Sequence, residues 1–81
     1  MSSIISTMEV YRRQKKLTQL ELAQKIGIFQ EEISRYEGLY VTPKRGVLKK
    51  IAEVLGFSSN YRDLLLPYSE YKQMKGDKFD G

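Results

Sequence analysis

The sequence contains no cysteine and no histidine, and these absences exclude several classes of protein. Without Cys there is no disulfide framework and no thiol nucleophile, and without His there is no imidazole general base. Zinc sites of the usual kind, built from Cys and His, are also excluded. We therefore expect a protein that is not an enzyme and that holds no metal and no cofactor.

Long apolar runs are also lacking, since the longest ones are only a few residues. Nothing of that length spans a bilayer, and the N-terminal MSSIIS lacks the basic region and long apolar core of a signal peptide. We expect a cytoplasmic protein with no membrane partner. The 81 residues, 41% of them hydrophobic, allow one small domain.

Positive charge is in excess, with a formal net charge of +4. Eleven Lys or Arg and seven Asp or Glu precede Pro67, whereas three of each follow it. The excess therefore belongs to residues 1–66, which we expect to form the folded domain, followed by a polar tail at 67–81. A basic domain suits a polyanionic partner, although this charge is also common in proteins that only need to stay soluble.

Residues 18–38 carry the pattern of two short helices joined by a tight turn. Thr18 followed three residues later by Glu21 is a capping box, which predicts that a helix begins there. Gly27 and Gly38 are predicted to end the two helices. Between these signals the apolar residues recur at helical spacing. They are Leu22, Ala23 and Ile26 in the first helix, and Ile33 and Tyr36 in the second.

Similar patterns predict three more helices and no sheet. They span residues 4–16, residues 45 or 46 to 55, and residues 61–66, with Ser58, Ser59 and Asn60 as capping residues for the last. Pro67 is expected to end the last helix. In the tail, Tyr68, Tyr71 and Met74 are spaced as one face of a short helix, but a frayed terminus is an alternative.

These residues and their spacing resemble the lambda-repressor-like, Xre-type helix-turn-helix DNA-binding domains, over about residues 8–66. The matching positions are Gln19, Leu22, Ala23, Gly27, Ile28, Ile33 and Glu37 in the motif, and Arg12, Pro43, Leu48, Ile51, Ala52, Leu55 and Gly56 outside it. The resemblance implies an all-α, five-helix domain that binds double-stranded DNA. It also implies a structural ion pair between Arg12 and Glu37.

The second motif helix is the predicted reader of bases, because an α-helix fits the major groove. The residues opposite its apolar face are Gln30, Glu31, Ser34 and Arg35, and the resemblance places base contacts there. Gln30 can pair with adenine, Arg35 can pair with guanine, and Glu31 can accept from cytosine. Alternatively, Glu31 could stabilise the first helical turn or orient Arg35.

The N-terminus of that helix departs from the family pattern. Phe29 stands where the family usually has a Ser or Thr cap, and Glu32 is expected to cover the exposed N–H instead.

Phosphate contacts are expected from the start of the first motif helix and from the loop after the reader helix. The candidates are Thr18, Gln19, Tyr40, Thr42, Lys44 and Arg45. The family most often has glycine two residues after the Glu, whereas here Leu39 takes that place and Gly38 precedes it. Lys49 and Lys50 are expected to lie on a solvated helix face.

A homodimer is expected because the three consecutive leucines 64–66 exceed what one helical face can hide. Tyr61 and these leucines could bury within the domain, but we expect part of the run to meet a twofold-related copy and to place two reader helices about 34 Å apart. The resulting expectation is a repressor that binds a near-palindromic operator and takes no small-molecule ligand.

Two other functions stay open at this point. One is a protein-interaction module, such as an antitoxin whose Tyr-rich tail neutralises a partner. The other is a nonspecific nucleoid or RNA binder.

Overall fold

A computed structural model describes residues 5–58 and 60–80, with the side chains of 75–80 excepted. The helices are α1 (Thr7–Gln14), α2 (Gln19–Ile26), α3 (Gln30–Glu37), α4 (Arg45–Leu55), a 3₁₀ helix (Tyr61–Leu65) and α5 (Tyr68–Asp80). This part of the chain contains no strand, only an isolated antiparallel bridge between Ser6 and Pro67. None of its helices is long and apolar enough to cross a membrane. The predicted all-α fold is confirmed.

The core gathers the apolar faces of all these helices. Met8, Leu22, Ile33, Ile51 and Leu64 are each fully buried. Helix α2 packs against α3 and α4, the 3₁₀ helix packs against α1 and α4, and α5 packs against α1. The helical spacing of apolar residues therefore correctly predicts which face of each helix is buried. An apolar face is removed from water only when it packs against a neighbouring helix.

Helix α2 begins and ends where local chemistry predicts. The hydroxyl of Thr18 accepts a hydrogen bond from the Glu21 N–H at 3.0 Å, and the Glu21 carboxylate accepts from the Thr18 N–H at 2.8 Å. This is the predicted capping box. Gly27 ends the helix at a φ of +90°, a conformation that costs glycine little.

The first helix is shorter than predicted. Ser6 is its N-cap and accepts a hydrogen bond from the Glu9 N–H at 3.2 Å, so that α1 begins at Thr7 and not at residue 4. Ile4 itself lies outside the described residues. The helix ends at Gln14, and Lys16 then takes a φ of +60°. The capping side chain, which the apolar spacing does not reveal, sets the N-terminal boundary.

The predicted fifth helix is a 3₁₀ helix that ends one residue earlier than expected. The Asn60 side chain caps it by accepting from the Arg62 N–H at 3.0 Å, whereas Ser59 lies outside the described residues. Tight 3₁₀ turns are common as short connectors. Here the turn carries Leu64 into the core directly before α5 begins.

Of the two alternatives for the tail, the structure contains the helix, α5. Tyr71 is only 6% exposed and its ring lies 6.2 Å from that of Tyr11 and 5.5 Å from that of Phe57, measured between centroids. Both the N–H and the hydroxyl of Thr7 donate to the Leu66 carbonyl at 2.9 Å. Burial of Tyr71 therefore makes α5 part of the same core, and the functional boundary at residue 67 stays a prediction.

Candidate nucleic-acid interface

The outward face of α3 consists of the four residues that were predicted to contact bases. Gln30, Glu31, Ser34 and Arg35 are all exposed. On the opposite face Ile33 is fully buried and Tyr36 is 8% exposed. Eight residues of helix extend about 12 Å, so α3 presents a short, entirely polar strip to solvent.

A buried charge network holds the C-terminal end of α3. The Arg12 guanidinium donates to both carboxylate oxygens of Glu37, with the Nη2–Oε1 distance at 3.2 Å. Its Nη1 donates to the Leu17 carbonyl at 2.6 Å. Arg12 is 8% and Glu37 4% exposed. The pair thus links α1, the loop before α2 and the end of α3, and it fixes how α3 lies on the domain.

Gln19 belongs to this network, which the sequence did not indicate. Its side-chain Nε2 donates to Glu37 Oε1 at 2.9 Å, and the side chain is half-buried. The hydroxyl of Thr18, beside it, accepts the capping bond, although as a donor it remains able to serve an anion. The structure therefore directs the Gln19 amide towards α3, and a phosphate contact from either residue stays a proposal.

The loop after α3 bends at Leu39, whose φ is +63°. Gly38 has an ordinary helical φ of −79°. The left-handed residue thus lies two positions after Glu37, the place where the family most often has glycine, and here a leucine occupies it. Such a conformation places Cβ close to a carbonyl oxygen, which costs a non-glycine residue about 1 to 2 kcal/mol.

Gly38 has a different purpose at the end of α3. A Cβ added there would lie 2.5 Å and 2.7 Å from the Cε2 and Cδ2 atoms of the Tyr40 ring. The absence of a side chain at Gly38 therefore lets the Tyr40 ring pack over this end of the helix. Tyr40 is still 83% exposed, so most of its ring faces water beside the outward face of α3.

The loop between α3 and α4 presents the remaining candidates for phosphate contact. Tyr40, Thr42, Lys44 and Arg45 are all exposed, whereas Pro43 is buried and anchors the loop. Hydroxyls and cations of this kind are typical phosphate ligands.

Lys50 is exposed on α4, as its place on a solvated helix face predicts. It lines a groove of about 420 Å³ together with Lys44 and with Gly27 and Ile28 of the turn before α3. Two cations therefore border the turn that leads into α3.

The N-terminus of α3 begins at Phe29, which is 73% exposed and makes no side-chain capping bond. Glu32, predicted to cover the exposed N–H, has a different partner, since its carboxylate accepts from the Tyr36 hydroxyl at 3.3 Å. Burial, and then the neighbouring Glu32 charge, raise the pKa of Tyr36. The acidic residues Glu31 and Glu32 still lie in the first turn, where negative charge suits the helix dipole.

The helix-turn-helix family model matches residues 8–61 of the chain, from α1 to the start of the 3₁₀ helix. The chain belongs to this helix-turn-helix family. The family is that of the lambda-repressor-like, Xre-type DNA-binding regulators, so the resemblance drawn from the residues is confirmed. Neither the curated proteins nor the solved structures contain a significant match.

Proposed function

We propose that this helix-turn-helix protein is a transcriptional repressor that binds a near-palindromic operator as a dimer and recognises its sequence through α3. The observation that carries the proposal is the outward face of α3, where four exposed side chains able to contact bases lie on a helix held at its far end by the Arg12–Glu37 pair. A rigid support of this kind is what precise recognition requires.

Each side chain on this face has a base that it can recognise in the major groove. Gln30 can form two hydrogen bonds with adenine and Arg35 two with guanine, while Ser34 can donate or accept. Each good bidentate pair discriminates against the wrong base by about 1 to 3 kcal/mol. These contacts would supply sequence preference.

Besides suiting the first turn of α3, Glu31 could accept from a base or orient Arg35, and the ion pairs bear on this second choice. The side-chain ion pairs within the described residues are Arg12–Glu37 and Arg13–Glu9, so that Glu31 is not held by Arg35 in this part of the chain. We therefore favour direct acceptance from a cytosine amino group over orientation of Arg35.

Phosphate contacts would provide most of the binding strength, because displaced counterions drive association with DNA. The loop side chains Tyr40, Thr42, Lys44 and Arg45 would make these contacts at one end of α3, with Lys50 joining Lys44 beside the turn. On the other side, the N-terminus of α2 with Thr18 and Gln19 would face a second phosphate.

In this proposal the dimer contact involves fewer of the leucines 64–66 than the sequence indicated. Leu64 is fully buried in its own core and is not available to a partner, whereas Leu65 and Leu66 are half-buried. Tyr61 and Leu65 are half-buried and line a groove of about 350 Å³ with Pro43. We propose that a twofold copy covers this groove. Thr42 and Arg45 line it too, so the dimer contact would adjoin the loop that meets DNA.

The test is selection of duplexes from a random pool, at defined salt, followed by sequencing of the bound fraction. We expect a symmetric site whose half-sites lie about 34 Å apart, one turn of DNA. Such a protein would act in the cytoplasm and repress by occupying the site where polymerase must bind. A pool without consensus would favour a nonspecific nucleoid or RNA binder and contradict the proposal.

The antitoxin alternative loses part of its support in the structure. It depended on the aromatic residues of the tail, yet Tyr71 is buried against Tyr11 and Phe57. Deleting everything after Pro67 would therefore damage the core as well as any partner site. A chain ending at Met74 keeps Tyr71, and we expect it to retain operator binding with unchanged affinity. Loss of operator binding by this chain would show that the terminal segment takes part in it.

A further inference from the structure

Phe29 is exposed where its neighbours give it no structural purpose. Its side chain is 73% exposed, whereas Ile28 before it is half-buried against the core. As N-cap of α3 it accepts the Glu32 N–H through its backbone carbonyl at 3.0 Å, but its side chain offers no hydrogen bond to the N–H groups of the first turn. Ser, Thr, Asp or Asn at this position would satisfy one of those groups.

Single exposed apolar residues are common on protein surfaces and need no explanation by themselves. Phe29 differs because its ring stands where a capping side chain would be and is exposed to water. Both features lower the stability of the isolated domain. The residues directly after it, Gln30 and Glu31, begin the exposed face of α3. We therefore expect the ring to contribute to binding where the N-terminal end of α3 contacts DNA.

We propose that Phe29 contacts the C5-methyl group of a thymine beside the base that Gln30 reads. This inference rests on the proposed function. Residues at the N-terminus of a reader helix reach base edges in the major groove. Among the four bases only thymine presents a methyl group there, and apolar side chains, Phe included, recognise it by contact. Each half-site then contains one thymine that is recognised through its methyl group.

The experiment replaces each thymine of the selected operator, one at a time, by deoxyuridine, which removes the methyl group and leaves every hydrogen bond of the pair. We expect binding to weaken about four-fold at one position per half-site and to change little elsewhere. The factor corresponds to about 0.8 kcal/mol, the value of one buried methyl-sized group.

The matched variant is Phe29→Ser, which removes the ring and introduces a cap. We expect it to bind the thymine and deoxyuridine duplexes equally, while its melting temperature is no lower than that of the parent. Met74→Ala removes a different exposed apolar side chain, 47% exposed and on α5, and should keep the four-fold difference.

Two results would overturn the inference while the proposed function survives. One is a clear consensus in which no thymine can be distinguished from deoxyuridine. The other is a Phe29→Ser protein that still distinguishes them. Failure to select any consensus would instead contradict the proposed function itself, so the two failures are separable.

Discussion

Arg12 on α1 and Glu37, the last residue of α3, form an ion pair that is almost completely removed from water. The pair also engages Gln19 and the Leu17 carbonyl. Two charges taken out of water are costly unless each is paired and fully hydrogen-bonded. Here every described buried side-chain nitrogen or oxygen has a partner, so the network is complete and makes the orientation of α3 depend on α1.

Breaking this pair from one side should therefore be severe. We expect Arg12→Ala or Glu37→Ala to lower the free energy of unfolding by about 3 to 5 kcal/mol, because the remaining charge stays buried without its partner. A single core in a chain of this size supplies no more than about that amount. Urea denaturation followed by circular dichroism would show these variants largely unfolded without denaturant.

The control for that prediction is the double variant Arg12→Met with Glu37→Leu. Removing both charges should restore most of the stability lost in either single variant, since no unpaired charge remains. Additive losses in the double variant would contradict the view that the pair acts as a unit.

Leu39→Gly should leave the stability of the protein nearly unchanged even though it removes a side chain. Leu39 has a φ of +63°, which glycine adopts without steric cost, and its side chain is 38% exposed. Relief of the strained φ is offset by the greater freedom of glycine in the unfolded state and by the lost partial burial of the leucine, so we expect the free energy of unfolding to change by less than about 0.5 kcal/mol. The shift in urea midpoint measures it. Val41→Gly, in the same loop but not at positive φ, should destabilise.

The two motif helices should respond in opposite ways to changes at their N-caps. Thr18→Ala removes both a capping bond and the reciprocal geometry of the box, and should cost about 1 kcal/mol. Phe29→Ser introduces a bond that α3 lacks, and should add a similar amount. Thermal denaturation of both variants tests this. Equal and same-signed shifts would show that capping does not limit either helix.

Stability should fall above pH 10, and Tyr11 should account for part of the fall. Burial, the hydrogen bond with Tyr71 and the nearby phenols raise its pKa from 10.0 to about 12. The unfolded chain then loses this proton more readily, so the contribution is complete below pH 10 and is lost between about pH 10 and 12. Urea midpoints across this range should fall less steeply for Tyr11→Phe than for the parent protein.

Base reading and phosphate binding should separate in the operator affinities of two variants. Arg35→Ala should relax preference at one base position, with a loss of about 1 to 3 kcal/mol on the best site only. Lys44→Ala should weaken all sequences alike and reduce the salt slope by about one unit. Titrations of matched and mismatched duplexes at several salt concentrations distinguish a loss of base preference from a uniform loss of affinity. Uniform losses for Arg35→Ala would refute its role as a base reader.

The sequence alone determined the features that depend on neighbouring residues. The capping box at Thr18 and the glycine at Gly27 fix α2, because capping bonds join groups only a few residues apart. The spacing of Ile33 and Tyr36 similarly established which face of α3 is buried. The residues opposite that face, beginning with Gln30 and ending with Arg35, could therefore be predicted to be exposed.

Tertiary structure decided what depends on residues far apart in the chain. Gln19 turns to Glu37, 18 residues away, and Thr7 binds the Leu66 carbonyl across 59 residues, next to the start of α5. Tyr71 is buried because Tyr11 and Phe57 come together to receive it. No local pattern encodes such partners, since they become neighbours only when the helices pack and each buried polar group must find a hydrogen bond.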